Sequence, residues 1–150
     1  ACQKAGIDVE LKSVTGSVFF SSDVNNPDTY TKFFCDMQMY TTTMTQPDPE
    51  RFMNQFASWE VATKENKWQG RNIARWRSDE YDRAFRAAEV ELDPVRRAAL
   101  FIRMNDLVVA DRHILPIVHR PGVNGIGRKL VAPIGWGGVM DAIHHWYREA

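Results

Sequence analysis

The feature that most constrains the fold is a stripe of apolar residues behind an Asp-Pro pair. After Asp93-Pro94, residues Leu100, Phe101, Met104, Leu107 and Val108 recur at i, i+1, i+4, i+7 and i+8. That spacing puts all of them on one side of an α-helix. Asp93 is a capping residue type, and Pro94 suits the first helical position, where a missing N–H costs nothing. A second helix opens just upstream. Ser78 supplies a capping hydroxyl, and Asp79 and Glu80 put acids in a first turn, where the helix dipole favours them. Tyr81, Ala84, Phe85 and Ala88 make its apolar face. The short link between the two predicts an αα-hairpin over about 78–111.

The stretch from Phe33 to Trp59 reads as strand, loop and helix. Cys35, Met37 and Met39 alternate with Asp36, Gln38 and Tyr40, the period of a half-buried strand. Asp48 suits an N-cap and Pro49 a first helical position, and Phe52, Met53, Phe56 and Trp59 follow at helical spacing. Thr41, Thr42, Thr43 and Thr45 lie between them, at the carboxyl end of the expected strand, where open α/β sheets bind ligands. On motif chemistry alone they read as a solvated loop or a β-prone extension of the strand.

Elsewhere the signals are shorter. Gly6 follows Gln3-Lys4-Ala5 as a helix C-cap does, and Ile7, Val9 and Leu11 then alternate with Asp8, Glu10 and Lys12 as a strand. Ser13 to Phe20 reads as a short helix or a second strand, since Val14, Val18, Phe19 and Phe20 fit neither period well, and Asn25-Asn26-Pro27-Asp28 is a turn or loop. Residues 60–78 form a polar stretch without clear period, in which core cover is the expected role of Trp59, Trp68 and Trp76. Ile114 to His119 reads as a short buried strand made irregular by Pro116. Pro121-Gly122 and Asn124-Gly125 are turns, and the glycine-rich tail with Gly135, Gly137 and Gly138 has weak local preferences. A chain that opens at Ala1 on the tail of a helix is expected to be processed or to belong to something larger.

Lys+Arg and Asp+Glu number 19 each in 150 residues, so the net charge is zero. That argues against a nucleic-acid binder. No apolar run approaches the ~20 residues of a membrane span. Cys2 and Cys35 belong to no Cys-x-x-Cys pair, which removes support for zinc or thioredoxin-like chemistry. A disulfide between them and two buried free thiols both stay open.

Catalytic motifs are lacking: there is no nucleophile elbow, no Walker loop and no dinucleotide fingerprint. His144 and His145 are adjacent and would point apart in a strand. His113 complements a helix C-terminus, and His119 reads as structural. Arg71, Arg75 and Arg77 form a cluster able to hold an anion, though offset by nearby acids and more in keeping with a solvated face.

The series Arg77-Ser-Asp-Glu-Tyr-Asp-Arg83, Leu92-Asp-Pro-Val-Arg-Arg-Ala-Ala-Leu100, Met104-Asn-Asp-Leu-Val108 and Ile114-Leu-Pro-Ile-Val-His-Arg-Pro-Gly-Val123 resembles the C-terminal region of the extracellular solute-binding proteins of family 5, the dipeptide/oligopeptide type that serve ABC importers. Ala5-Gly-Ile-Asp-Val-Glu-Leu11, Phe34-Cys-Asp-Met37 and Pro47-Asp-Pro49 with Phe52 extend the resemblance over nearly the whole chain, most weakly at 13–32 and 126–150. Its implication is an α/β lobe of the type II periplasmic-binding-protein kind: a short mixed sheet flanked by helices. Residues 1–125 would form a C-terminal lobe fragment, and 126–150 a tail returning to a missing first lobe.

The implied function is non-enzymatic capture of a small polar solute by lobe closure and its delivery to the membrane permease of an ABC importer, in the periplasm or cell envelope. No cofactor or metal is implied, and a dimer through the exposed lobe face is open. Thr41, Thr43, Thr45, Trp59, Trp68 and Asn72 are the implied ligand-lining residues, with Tyr40 and Asp48 structural. The pattern departs in one respect. Peptide binders of the family often carry an acid where Thr45 stands, and a Gly-Trp where Thr41-Thr42 stand, which keeps sugars and opines open beside peptides. A small α/β enzyme and a stand-alone interaction domain are the alternatives.

Overall fold

Backbone N–H groups at helix starts need acceptors, and this chain supplies them where its sequence predicts. The computed structural model describes residues 2–119, 125–132 and 143–149. Its α-helices are α1 (Gly16–Phe19), α2 (Glu50–Met53), α3 (Asp79–Val90) and α4 (Pro94–Ala110). Two short strands, β1 (Leu130–Val131) and β2 (Tyr147–Arg148), join 3-10 turns at Cys2–Ala5, Asn54–Phe56, Ser58–Glu60 and Ile143–His145. Ser78 Oγ accepts from the Tyr81 amide at 3.2 Å, capping α3. Asp93 Oδ1 accepts from the Val95 and Arg96 amides at 2.9 and 3.0 Å, with Pro94 in the first turn of α4.

α3 and α4 pack as the expected αα-hairpin. Tyr81, Phe85 and Ala88 of α3 meet Phe101, Met104 and Val108 of α4 in one core, which Met53, Ala57 and Trp76 complete. Arg103 Nη2 reaches Glu80 Oε1 at 2.6 Å across the pair. Tyr81 is fully buried, and its hydroxyl donates to the Met53 carbonyl at 2.6 Å. Burial, and then the charge of Asp82, pushes the Tyr81 phenol far above its usual range, so it stays a donor. Trp76 Nε1 donates to Asp111 Oδ2 at 2.6 Å, and His113 Nδ1 lies 2.7 Å from the same oxygen. His113 therefore answers a carboxylate just past the helix end.

The sheet differs from expectation. The described strands form one two-stranded antiparallel ladder, Leu130 opposite Arg148 and Val131 opposite Tyr147. The molecule thus combines helices with a small sheet, but residues 7–11, 33–40 and 114–119 join no ladder among the described residues. Alternation alone supplies no hydrogen-bonding partner. In 33–40 the burial is also inverted. Cys35, Met37 and Met39 are exposed, whereas Gln38 and Tyr40 are half-buried. The reason is an aromatic cluster of Phe19, Phe20, Tyr30 and Tyr40, with ring centroids 5.0–6.2 Å apart. Gln38 Nε2 donates to the Tyr30 carbonyl at 3.1 Å, fixing which face turns inward.

Local punctuation is otherwise as read. Gly6 has φ 77°, its amide bonds Gln3 O and that of Ile7 bonds Cys2 O, both at 3.1 Å, which is a Schellman closure. Ser13 to Phe20 resolves to one helical turn, and turns occupy Val24-Asn25 and Pro27-Asp28. Asp48 Oδ1 accepts the Glu50 amide at 2.9 Å, but α2 starts one residue after Pro49 and breaks into 3-10 turns before Trp59. Cys2 and Cys35 are both free and exposed, so neither the disulfide nor the buried pair of thiols describes them. His144 and His145 sit on a 3-10 turn with rings 4.0 Å apart instead of diverging along a strand. The turn at Pro121-Gly122, Asn124 and the tail glycines Gly135, Gly137 and Gly138 lie outside the described residues. No helix among the described residues is long and apolar enough to cross a membrane.

Candidate functional site

The segment 60–73, read as an unstructured loop, is where the site's support is built. Val61 and Asn72 form a parallel bridge. The Asn72 amide donates to Glu60 O at 2.8 Å, and Ala62 N donates to Asn72 O at 3.3 Å. The two backbones run so close at Gly70 that an added Cβ would stand 2.2 Å from Glu60 O and 2.6 Å from Ala62 N. Only glycine fits there. Asn72 is 2% exposed, and its Nδ2 donates to the carbonyls of Ala57 at 3.0 Å, Trp76 at 2.8 Å and Phe56 at 3.2 Å. This expected ligand contact is therefore a buried tie that holds three segments together, its donors already used.

Arg71 stands between Gly70 and Asn72 and is positioned by them. Its amide donates to Glu60 Oε2 at 3.3 Å, and its Nη1 to Arg51 O at 3.0 Å, which brings the loop against α2. In front of α2 opens a cleft of about 110 Å³, lined by Thr43, Met44, Thr45, Gln46, Asp48, Arg51, Phe52 and Arg71. Of the residues expected to line a ligand, Thr43 and Thr45 meet here. Thr41 is exposed two residues upstream and is not part of the cleft wall.

Trp59 and Trp68 lie apart from this cleft. Trp59 is 41% exposed and packs on α3, with the Arg86 guanidinium 3.9 Å above its ring and Phe85 edge-on at 5.5 Å. Its Nε1 donates to Asn54 Oδ1 at 3.1 Å. Trp68, at φ 61°, is half-buried against Phe34 at 5.8 Å, with Arg75 5.7 Å from its ring. Core cover describes both better than core, whereas Trp76 lies inside the core.

Arg97 is the organising charge that sequence reasoning missed. Its Nη1 and Nη2 take the two oxygens of Asp48 at 2.7 and 3.1 Å, Nη2 also reaches Glu50 Oε2 at 2.7 Å, and Nε donates to Ala88 O at 3.1 Å. The guanidinium also lies 4.8 Å from the Phe101 ring centroid. The hydrogen bond from Arg97, then the Glu50 amide, holds the Asp48 carboxyl below the usual carboxylate range. Asp48 thus caps α2 and pins it to α4. A spacing signal existed, because Arg97 falls one turn after Asp93, but nothing local links it to Asp48.

A second hollow of about 350 Å³ lies at the hairpin's turn, lined by Pro49, Leu92, Pro94, Arg97, Ala98 and Phe101. Its wall is apolar apart from Arg97, four of whose five N–H donors are already used. No group of three or more His, Cys, Asp or Glu side chains able to hold a metal occurs among the described residues. The polar cleft can offer two guanidinium groups, hydroxyls and an amide to a small solute. Comparison with family models, curated proteins and solved structures finds no match to this chain.

Proposed function

We propose that this chain is the C-terminal part of an extracellular solute-binding protein of the dipeptide/oligopeptide type, with no catalytic role. It would contribute one wall of a site that closes on a small polar solute, a peptide, sugar or opine, for delivery to an importer's permease in the cell envelope. Thr43 and Thr45 are the expected ligand-lining residues that would stand on that wall, and Asn72 supports it from behind, whereas Thr41, Trp59 and Trp68 lie outside the cleft. The observation that carries this reading is the state of segments 7–11, 33–40 and 114–119. The first two alternate as strands do and the third is a short apolar run, yet they join no ladder among the described residues, and they turn Leu11, Met39 and Val118 to solvent at 90%, 81% and 78% exposure. Strand-patterned segments of this kind fit a lobe whose sheet and apolar face are completed by the rest of a larger protein. A self-sufficient interaction domain or small enzyme would bury them.

A wall of this kind is only a half-site. Each hydroxyl exchanges water for ligand at a net gain of ~1 kcal/mol, against several kcal/mol of lost ligand freedom. Lobe closure supplies the remainder by excluding water. Calorimetry with tri- and tetrapeptides, sugars and opines on this chain and on the complete gene product is the test. Tight binding by the complete product alone is expected. Micromolar binding by this chain alone refutes the half-site, and failure of the complete product to bind any of them refutes the transport reading.

A further inference from the structure

The cleft in front of α2 carries more positive charge than its own carboxylate can balance. Asp48 is the acidic residue of its wall, and Arg97 and the Glu50 amide occupy both of its oxygens. Arg51 and Arg71 stand on the same wall. Arg71 donates from Nη1 to Arg51 O, but among the described residues neither guanidinium forms an ion pair. Arg71 is also held on a rigid base, since Gly70 and Asn72 on either side are locked against Glu60–Ala62.

We propose that this cleft binds the carboxylate group of a small solute, with Arg51 and Arg71 as its cationic partners and the Thr43 and Thr45 hydroxyls donating beside them. The planar guanidinium fork matches a carboxylate and forms the stronger, charge-assisted kind of hydrogen bond. A hydroxyl rotates to donate where an anion needs it. A volume of about 110 Å³ is the room of a few waters at about 30 Å³ each. It admits a carboxylate head and leaves the body of the solute outside. The assignment rests on the solute-binding reading for what that body is, while the subsite itself rests on the cleft.

The experiment is a titration of the isotopically labelled chain, followed by amide shifts, with succinate, with uncharged succinamide and with inorganic phosphate. Saturable shifts centred on Thr43, Thr45 and Arg71 are expected with succinate in the millimolar range and not with succinamide. Arg51→Gln, at an exposed side chain whose loss leaves the core intact, should weaken succinate about tenfold, the effect of ~1.4 kcal/mol. Equal shifts with succinamide, or unchanged succinate binding in Arg51→Gln, overturn the subsite. Tighter binding of phosphate than of succinate overturns the choice of carboxylate. These outcomes are independent of the transport reading, because a complete gene product that captures no solute leaves the titration standing, and a silent titration leaves capture of neutral solutes open.

Discussion

Replacing Arg97 by methionine keeps the side chain's packing and removes its charge and donors. Four links are lost at once: the paired bonds to Asp48, the bond to Glu50, the Nε bond to Ala88 O and the contact with Phe101. The Arg97 side chain is 22% exposed, but Asp48 and Glu50 are 46% and 43% exposed, so water screens the ion pairs and re-solvates the carboxylates left behind. Exposed pairs contribute ~0.2–1 kcal/mol, and the hydrogen bond to Ala88 ~1 kcal/mol. The cation–π contact at such a site contributes ~0.5–1 kcal/mol. Sharing one guanidinium makes these contributions less than additive, and a loss of ~2 kcal/mol is expected.

Urea unfolding of both proteins, followed by tryptophan fluorescence, measures that loss. Acid identifies its electrostatic part. The folded Asp48 carboxyl lies below its ordinary value of 3.8, so its contribution is complete above that value and disappears as pH falls through the depressed one. The gap between the two proteins should therefore be steady from about pH 7 to about pH 5 and narrow as pH falls below 3.8. A gap equally wide in acid would show that the ion pair contributes nothing, and a loss below ~0.5 kcal/mol would refute the network as a tie between α2 and α4.

Tyr81→Phe should cost ~1–3 kcal/mol, because the Met53 carbonyl keeps its burial and loses its donor. A near-neutral result in thermal unfolding would mean that water replaces the hydroxyl. Asn72→Ala should cost ~3 kcal/mol by stranding the carbonyls of Ala57 and Trp76, and proteolysis should then cut within 60–78 first. Gly70→Ala, with its methyl driven into Glu60 O, should lower the melting temperature more than Gly16→Ala, whose Cβ meets nothing within 4 Å. Equal effects of the two would contradict the close approach.

What was legible in the sequence is what depends on near neighbours. Ser78, Asp93 and Gly6 satisfy backbone groups two to five residues away, and the stripe from Leu100 to Val108 needs only the helix beside it. The strand expectations failed for the opposite reason. Residues 33–40 alternate, but the choice of buried face belongs to Phe19, Phe20 and Tyr30, which no local pattern ties to Tyr40. Thr43 and Thr45 were legible as hydroxyls in a loop. Their meeting with Arg51 and Arg71 depends on the Val61–Asn72 bridge and on Gly70, a contact between segments with no periodic signature. Asn72 looked like a ligand contact because an asparagine in a polar loop looks the same whether its amide meets solvent or three carbonyls.

The run from Ile114 to Val118 has a bearing on how copies of the chain behave toward one another. Leu115, Ile117 and Val118 are exposed side by side, and a β-prone window of that kind is what stacks into cross-strand assemblies when nothing covers it. With a formal net charge of zero, no general repulsion keeps copies apart at neutral pH. Pro116 stands in the middle of the window and lacks the N–H that an incoming strand would need. It thereby acts as a gatekeeper, leaving the apolar side chains available to a fitted surface while blocking the ladder by which identical chains would aggregate.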